Sequence, residues 1–237
     1  MTRQIGLLEC DHVPAHLRSI QGDYRDMFRR LFPDLNFRDY DVVNNRFPQS
    51  VSDCEAYIAT GSRYSVYDQQ PWIKKLGELV QRIHAEGKYF VGICFGHQIL
   101  AQALGGQVRK NEKGWCVGSH TFTLLEGPEW MQPAKQSFNL LMSCQDQVTM
   151  LPPGSTLLAQ ADDCPTGMFQ VGPKMLGVQG HPEYPKAFNQ ALMEERRHLI
   201  GATKVGEGIQ SLSGDLDAGT FAQWVYRFLD LDSGSNL

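Results

Sequence analysis

From Gln4 to about Gly105, short apolar runs and amphipathic stretches take turns along the chain, and this alternation limits the possible folds more than any other feature. Gln4 to Glu9, Asn36 to Val43 and Ala56 to Thr60 have strand-like patterns. Between the first two, Tyr24, Met27, Phe28 and Leu31 recur at helical spacing within Tyr24 to Phe32, and Pro33 ends the segment. A longer helix is predicted from Pro71, which suits a first turn, to Gly87, which suits a stop; Trp72, Leu76, Leu79, Val80 and Ile83 form its apolar face. Tyr89 to Ile93 is short and apolar, as a central strand buried on both faces would be. Helical spacing resumes from Gly96 to Leu104, with Gly105 and Gly106 as its end. Such alternation implies βαβ units, and so an α/β fold with a mostly parallel sheet and helices on both faces.

From Trp115 to Val178 strand and turn signals dominate, and two amphipathic helices follow, about Lys186 to Ile200 and Phe221 to Leu229. Nothing before about residue 200 resembles an interdomain linker, so residues 1–237 are expected to form one domain, with a core over 5–195 and a helical tail over 196–237. The Gly/Ser-rich stretches Gly201 to Ser213 and Asp232 to Leu237 are expected to be flexible. With a net charge of -4 and no Lys/Arg run, the chain offers no phosphate-neutralising face, which argues against nucleic acid. No apolar run is long enough for a membrane span, and Glu9, Cys10 and Asp11 interrupt the N-terminal apolar piece where a leader would carry small residues. Six scattered cysteines without a Cys-x-x-Cys pair are expected to be thiols, mostly core hydrophobes, in a cytoplasmic protein.

The stretch Gly92-Ile93-Cys94-Phe95-Gly96 lies between the buried strand and the helix after it. A glycine on each side lets a chain turn sharply and leaves the central side chain strained and exposed, the arrangement of a nucleophile elbow. The sulfur would sit at a helix N-terminus, whose dipole favours thiolate, and the Phe95 amide would point at a developing oxyanion. Gly-x-Cys-x-Gly alone is equally compatible with a buried cysteine at a strand end; the strand–turn–helix context separates the two. A zinc reading of Cys94-x-x-His97 lacks a second ligand pair.

Downstream, Met175 to Val178 is another apolar strand, followed by Gln179-Gly180-His181-Pro182-Glu183. A cysteine nucleophile needs a base, and an imidazole needs a carboxylate to fix its tautomer. His181 and Glu183 are two residues apart, and Pro182 favours extended backbone at His181, so both side chains can leave one side of the strand end. Taken alone, the pair would be a loop histidine beside a surface glutamate. With the elbow it completes a Cys94, His181, Glu183 triad.

These two segments, Gly-Ile-Cys-Phe-Gly-His-Gln and Gly-His-Pro-Glu in that order, resemble the class I (triad) glutamine amidotransferases, including the amidotransferase half of GMP synthase. Ala59 to Val66 resembles the family's oxyanion strand and loop, and Met142 to Val148, followed by Leu151-Pro152, its substrate-side loop. The likeness spans about residues 5–195 and implies a flavodoxin-like domain. It implies that Cys94 attacks the glutamine side-chain amide while His181 shuttles the proton and Glu183 holds His181. It also places the oxyanion against the amides of Phe95 and the Gly61-Ser62 turn, the substrate's amino-acid end against Gln98, and Ser143 and Cys144 beside the substrate.

The sequence departs from the family at four places. Ser62 and Arg63 replace the usual Gly-Pro, so Ser62 is strained if that turn needs positive φ; Cys144 stands where GMP synthases have His, and Gly180 where they have Phe. The small Gly180, Ser62 and Cys144 suggest extra room around the γ-amide. The form Gln-Gly-His-Pro-Glu-Tyr also resembles plant γ-glutamyl peptidases, with the same fold and triad. The expected function is therefore glutamine hydrolysis with ammonia passed to an acceptor; the rivals are a γ-glutamyl peptidase and a catalytically idle module. No P-loop or dinucleotide fingerprint is present, so no cofactor or metal is expected, and an amidotransferase would need a synthase partner subunit. His12, His16, His84 and His198 are expected at the surface, His120 in a strand, Trp72, Trp224 and Phe228 in the core, and Arg109 to Lys113 in a solvated turn flanking, at most, the site's mouth.

Overall fold

A computed structural model gives the structure, with residues 3–125 and 127–231 described. Strand β1 (Gln4–Leu8), helices α1 (Arg18–Gln21) and α2 (Tyr24–Leu31), strands β2 (Asn36–Tyr40) and β3 (Ala56–Ala59), helix α3 (Pro71–Ala85), strand β4 (Tyr89–Ile93) and helix α4 (Phe95–Ala103) follow the alternation of the sequence. An Asp23/Asp26 capping box starts α2, and Pro71 opens α3. The middle of the chain supplies β5 (Gln107–Lys110), β6 (Cys116–Leu124), β7 (Ser137–Cys144), β8 (Asp146–Met150), β9 (Ser155–Ala161), β10 (Cys164–Val171) and β11 (Met175–Val178). Helices α5 (Lys186–Glu195), α6 (Arg197–Ile200), α7 (Ala202–Ser211) and α8 (Ala218–Phe228) complete it.

Nine strands form one sheet in the order β2-β1-β3-β4-β11-β10-β9-β6-β7, and β5 pairs with β8 as a separate ribbon. The fold is α/β, as expected: β2, β1, β3, β4 and β11 run parallel, and antiparallel strands extend the sheet from β11 outward. One pairing positions the site. β11 lies parallel to β4, with Leu176 opposite Val91 and Val178 opposite Ile93, so the segments after residues 93 and 178 emerge side by side. Helices α3 and α4 cover one face together with Phe90, Phe95 and Ile99, while α2 and α8 cover the other, where Phe28 and Trp224 are buried. Trp72, Trp224 and Phe228 are core residues, and all six cysteines are free and buried. No described helix is long and apolar enough to cross a membrane.

Two expectations about the tail are corrected. The helix predicted from Lys186 to Ile200 breaks at Arg196, whose φ of -92° and ψ of 9° separate α5 from α6. The segment from Gly201 to Ser213, read as flexible from its glycines, is mostly the packed helix α7. Gly208 lies against β6 so closely that a Cβ there would come 2.6 Å from Met193 Sδ and 3.0 Å from Val117 Cγ2. Here glycine permits close helix packing, a use indistinguishable in sequence from a breaker. Residues 232–237, the other predicted flexible stretch, lie outside the described residues.

Candidate active site

The turn at Cys94 combines two constraints. Cys94 has φ 52° and ψ -99°, one of three non-glycine residues with positive φ among those described. Such backbone costs about 1–3 kcal/mol and persists where its surroundings enforce it. The enforcement comes from the flanking glycines, which are not themselves in positive φ. A Cβ on Gly92 would come 2.2 Å from the Gly96 carbonyl oxygen, and one on Gly96 would come 2.5 Å from that of Ala59. The glycines therefore seat α4 against β3 and β4, while Cys94 itself makes the turn. Cys94 is not exposed, as the elbow reading expected, but only 4% accessible, at the wall of a cavity of about 420 Å³.

His181 follows β11 and is fixed by its backbone, whose N–H donates to the Leu141 carbonyl at 2.7 Å. Its Nδ1 lies 2.7 Å from Glu183 Oε1, and its ring stacks on Tyr184 with centroids 3.9 Å apart and planes 9° apart. His181 and Glu183 are both buried, and Nε2 of His181 has no hydrogen-bond partner. Burial alone would depress the histidine's pKa, but the Glu183 carboxylate and the Cys94 sulfur outweigh it and lift it to about 10. With Nδ1–H directed at Glu183, the ring keeps Nε2 free for proton transfer.

Gly61 sits between Cys94 and His181. A Cβ on it would stand 2.8 Å from His181 Cε1 and 3.7 Å from Cys94 Cβ, which places all three residues in one group. The turn after it is braced from the end of β1: Ser62 Oγ donates to the Cys10 carbonyl at 2.9 Å, and Arg63 Nε donates to Asp11 Oδ2 at 2.8 Å. The strain anticipated at Ser62 is absent, because Ser62 does not adopt positive φ. Phe95 is buried with its ring 5.5 Å from that of Trp72, and its amide opens α4 beside the sulfur.

Ser62, Gln98, Ser143 and Cys144 line the cavity with Cys94. Gly180 does not. A Cβ there would meet Leu140 Cβ at 2.8 Å and Phe122 Cζ at 3.2 Å, so this glycine accommodates the neighbouring strands and adds no room at the site.

Sequence reading missed two polar residues. Gln179, fully buried, donates from Nε2 to Cys94 Sγ at 3.4 Å; only its place at the tip of β11 could have flagged it. Arg196 lines the cavity, with Nη1 3.3 Å from Ser143 Oγ and its guanidinium 5.9 Å from the centre of the Trp115 ring. It was hidden because the helix break that aims it was not anticipated.

Most of the remaining histidines and basic residues lie away from the cavity. His12 is not a free surface residue: its ring bridges Asp23 and Asp41 at 3.0 Å each, and despite burial those carboxylates raise its pKa. His16 and His84 are exposed, His198 is exposed on the wall of the Cys94 cavity, and His120 lies in β6 with Nε2 3.1 Å from the Val117 carbonyl. His97 is buried edge-on against Phe169, and burial pulls its pKa down to about 3. Arg109 and Lys110 pair in β5 rather than turning. Among the described residues no cluster of His, Cys, Asp or Glu could hold a metal ion.

The sequence matches the family described as glutamine amidotransferase class-I over residues 38–197. A protein of Schizosaccharomyces pombe described as glutamine amidotransferase-like is 33% identical, with 78% of this chain aligned to 80% of it. Gamma-glutamyl peptidase 3 of Arabidopsis thaliana is 29% identical, with 74% of this chain aligned to 72% of it. The crystal structure of a glutamine amidotransferase from Methylobacillus flagellatus superposes with a TM-score of 0.76 at 16% identity, covering 97% of this chain and 95% of that one, a likeness of fold. The chain belongs to the class I glutamine amidotransferase family.

Proposed function

We propose that this chain, working as one domain, hydrolyses the γ-carboxamide of glutamine through a thioester on Cys94. The observation that carries the reading is the buried His181, clamped to Glu183 at 2.7 Å with Nε2 unpartnered, in the same group as a strained cysteine on the cavity wall. The Cys94 sulfur attacks the γ-carbonyl carbon, and the amides of Phe95 and of the Gly61-Ser62 turn receive the charge on its oxygen. As the carbon–nitrogen bond breaks, His181 Nε2 gives its proton to the departing ammonia. Water, deprotonated by the now neutral ring, attacks the thioester and releases glutamate. Arg196 pairs with no carboxylate among the described residues, which suits it to the substrate's carboxylate. Ammonia then passes to an acceptor activated by a synthase partner, because this sequence carries no nucleotide-binding loop. The six free thiols fit a reducing compartment such as the cytoplasm.

A second reading, γ-glutamyl peptidase, is favoured by the outer part of the cavity. Trp115 and Leu199 line it, and Leu199 is 59% exposed, an apolar wall that ammonia does not need and a larger leaving group could use. The purified chain should be assayed for kcat/KM with glutamine and with a γ-glutamyl dipeptide, following ammonia and free glutamate. Glutamine is expected to be the better substrate. A dipeptide advantage above about tenfold, roughly 1.4 kcal/mol of transition-state binding, would replace the amidotransferase reading with the peptidase one.

A further inference from the structure

We infer that Gln179 is a catalytic residue that donates to the Cys94 sulfur, and that Gln98 is a positioning residue holding it there. Gln98 Nε2 donates to the Asp146 carbonyl at 2.8 Å and to Gln179 Oε1 at 3.1 Å, and Gln179 Nε2 donates to Cys94 Sγ at 3.4 Å. Both hydrogens of the Gln98 amino group are thus committed inside the protein. Gln98 is 3% exposed and Gln179 fully buried, so neither bond competes with water. The backbone N–H of Gln179 is itself tied to the Gly167 carbonyl at 2.9 Å, which fixes the base of the side chain. An amide's dipole reverses if it flips. Because Gln98 presents a donor to Gln179, it holds the Gln179 oxygen toward itself and turns the Gln179 amino group toward the sulfur.

The consequence is a neutral donor aimed at a sulfur that carries negative charge twice in the cycle. It receives that charge before attack and again when water expels it from the thioester. His181 supplies the proton for the leaving nitrogen, so the donor that stays with sulfur throughout is Gln179. The chain of amides also connects the Asp146 carbonyl, on the cavity wall, to the nucleophile through two side chains. This inference rests on Cys94 being the nucleophile, the reading proposed above.

Gln179→Glu keeps the size and still accepts from Gln98 but cannot donate to sulfur when ionised; Gln179→Met keeps the length and removes the amide. Loss of a hydrogen bond to a charged group should lower kcat by roughly ten- to a hundredfold. The pH profile of Cys94 alkylation by iodoacetamide should move to higher pH in both. Gln98→Met should lower kcat and move the alkylation profile in the same way, and Gln98→Met/Gln179→Met should cost little more in kcat than either alone, because the two act as a unit. The alkylation arm needs no substrate, so it separates failure of this inference from failure of the glutamine reading. Circular dichroism checks that each variant is folded, and the two Gln179 replacements guard against one that is not. Alkylation profiles in both Gln179 variants that match the unaltered chain would overturn the inference. So would a Gln98→Met variant that leaves both kcat and the alkylation profile alone, since Gln98 would then not be what holds Gln179.

Discussion

His181→Ala is expected to lower the rate of thioester formation by about a hundred- to ten-thousandfold, the usual contribution of a positioned proton-transfer group. Glu183→Gln is expected to cost less, because it leaves the ring in place while removing the carboxylate that fixes its tautomer and charge. Single-turnover release of ammonia from glutamine measures both, and full activity in the two variants together would reject the triad. The same pair also links stability to pH. The folded value near 10 lies above the ordinary histidine value of about 6.5, since Glu183 and Cys94 outweigh burial. Protonation of His181 therefore stabilises the fold fully below about pH 6.5, and that contribution is lost as pH rises through about 10. Urea midpoints of the unaltered chain should fall over that alkaline range, and those of His181→Ala should lack this component.

Gly92→Ala is expected to be among the most destabilising single-methyl changes at the described glycines. Overpacking a core ordinarily costs about 1–3 kcal/mol because flexible side chains give way. Here the added carbon would lie 2.2 Å from the Gly96 oxygen, 2.3 Å from the Gly96 carbonyl carbon and 2.7 Å from the His97 nitrogen, all backbone. Relief requires α4 to lift from β4, so a loss at or above about 3 kcal/mol is expected, together with loss of the turn at Cys94. Gly206→Ala is the control. It lies in α7 with nothing within 4 Å of its Cβ, and should stabilise by about 0.5–1 kcal/mol through helix propensity. Equal denaturation midpoints for the two variants would show that the close approach of α4 to β4 is not what glycine serves at 92.

Much of this architecture is legible in residue patterns, and the exceptions share a cause. β1 to β4, α2 and α3 follow from local periodicity, because each buries its own apolar face against a neighbour close in sequence, whereas α1, with no buried residue, has no such pattern. The elbow is legible for the same reason: strand, cysteine and helix are contiguous. The insertion of β11 beside β4, which sets His181 next to Cys94, is a long-range pairing that no local pattern encodes; the family resemblance supplies it. Glycine roles were the least legible. Gly180 and Gly208 are small because neighbouring strands and helices press on them, and Gly92 because a helix backbone does, yet in sequence each resembles a turn, a gap or a hinge. Gln179 stayed hidden because a buried amide has no spacing rule; its meaning appears once its partners, Gln98 and Cys94, are in place.

The thiols differ in ways that make a direct measurement decisive. Burial pushes the Cys10, Cys54 and Cys164 thiols up, and the facing Cys116, with burial, pushes Cys144 up. Cys116 is the competitor, since its hydrogen bond with Cys144 holds its pKa down against burial. A glutamine-like chloroketone should nonetheless modify one site, because alkylation needs the γ-carbon analogue held at the nucleophile. Peptide mapping by mass spectrometry after substoichiometric labelling is expected to find the adduct on Cys94, with protection by glutamine and none in Cys94→Ser. Label on Cys116 or spread over Cys10 and Cys54, with Cys94 untouched, would contradict the assignment of Cys94 as the nucleophile and the mechanism built on it.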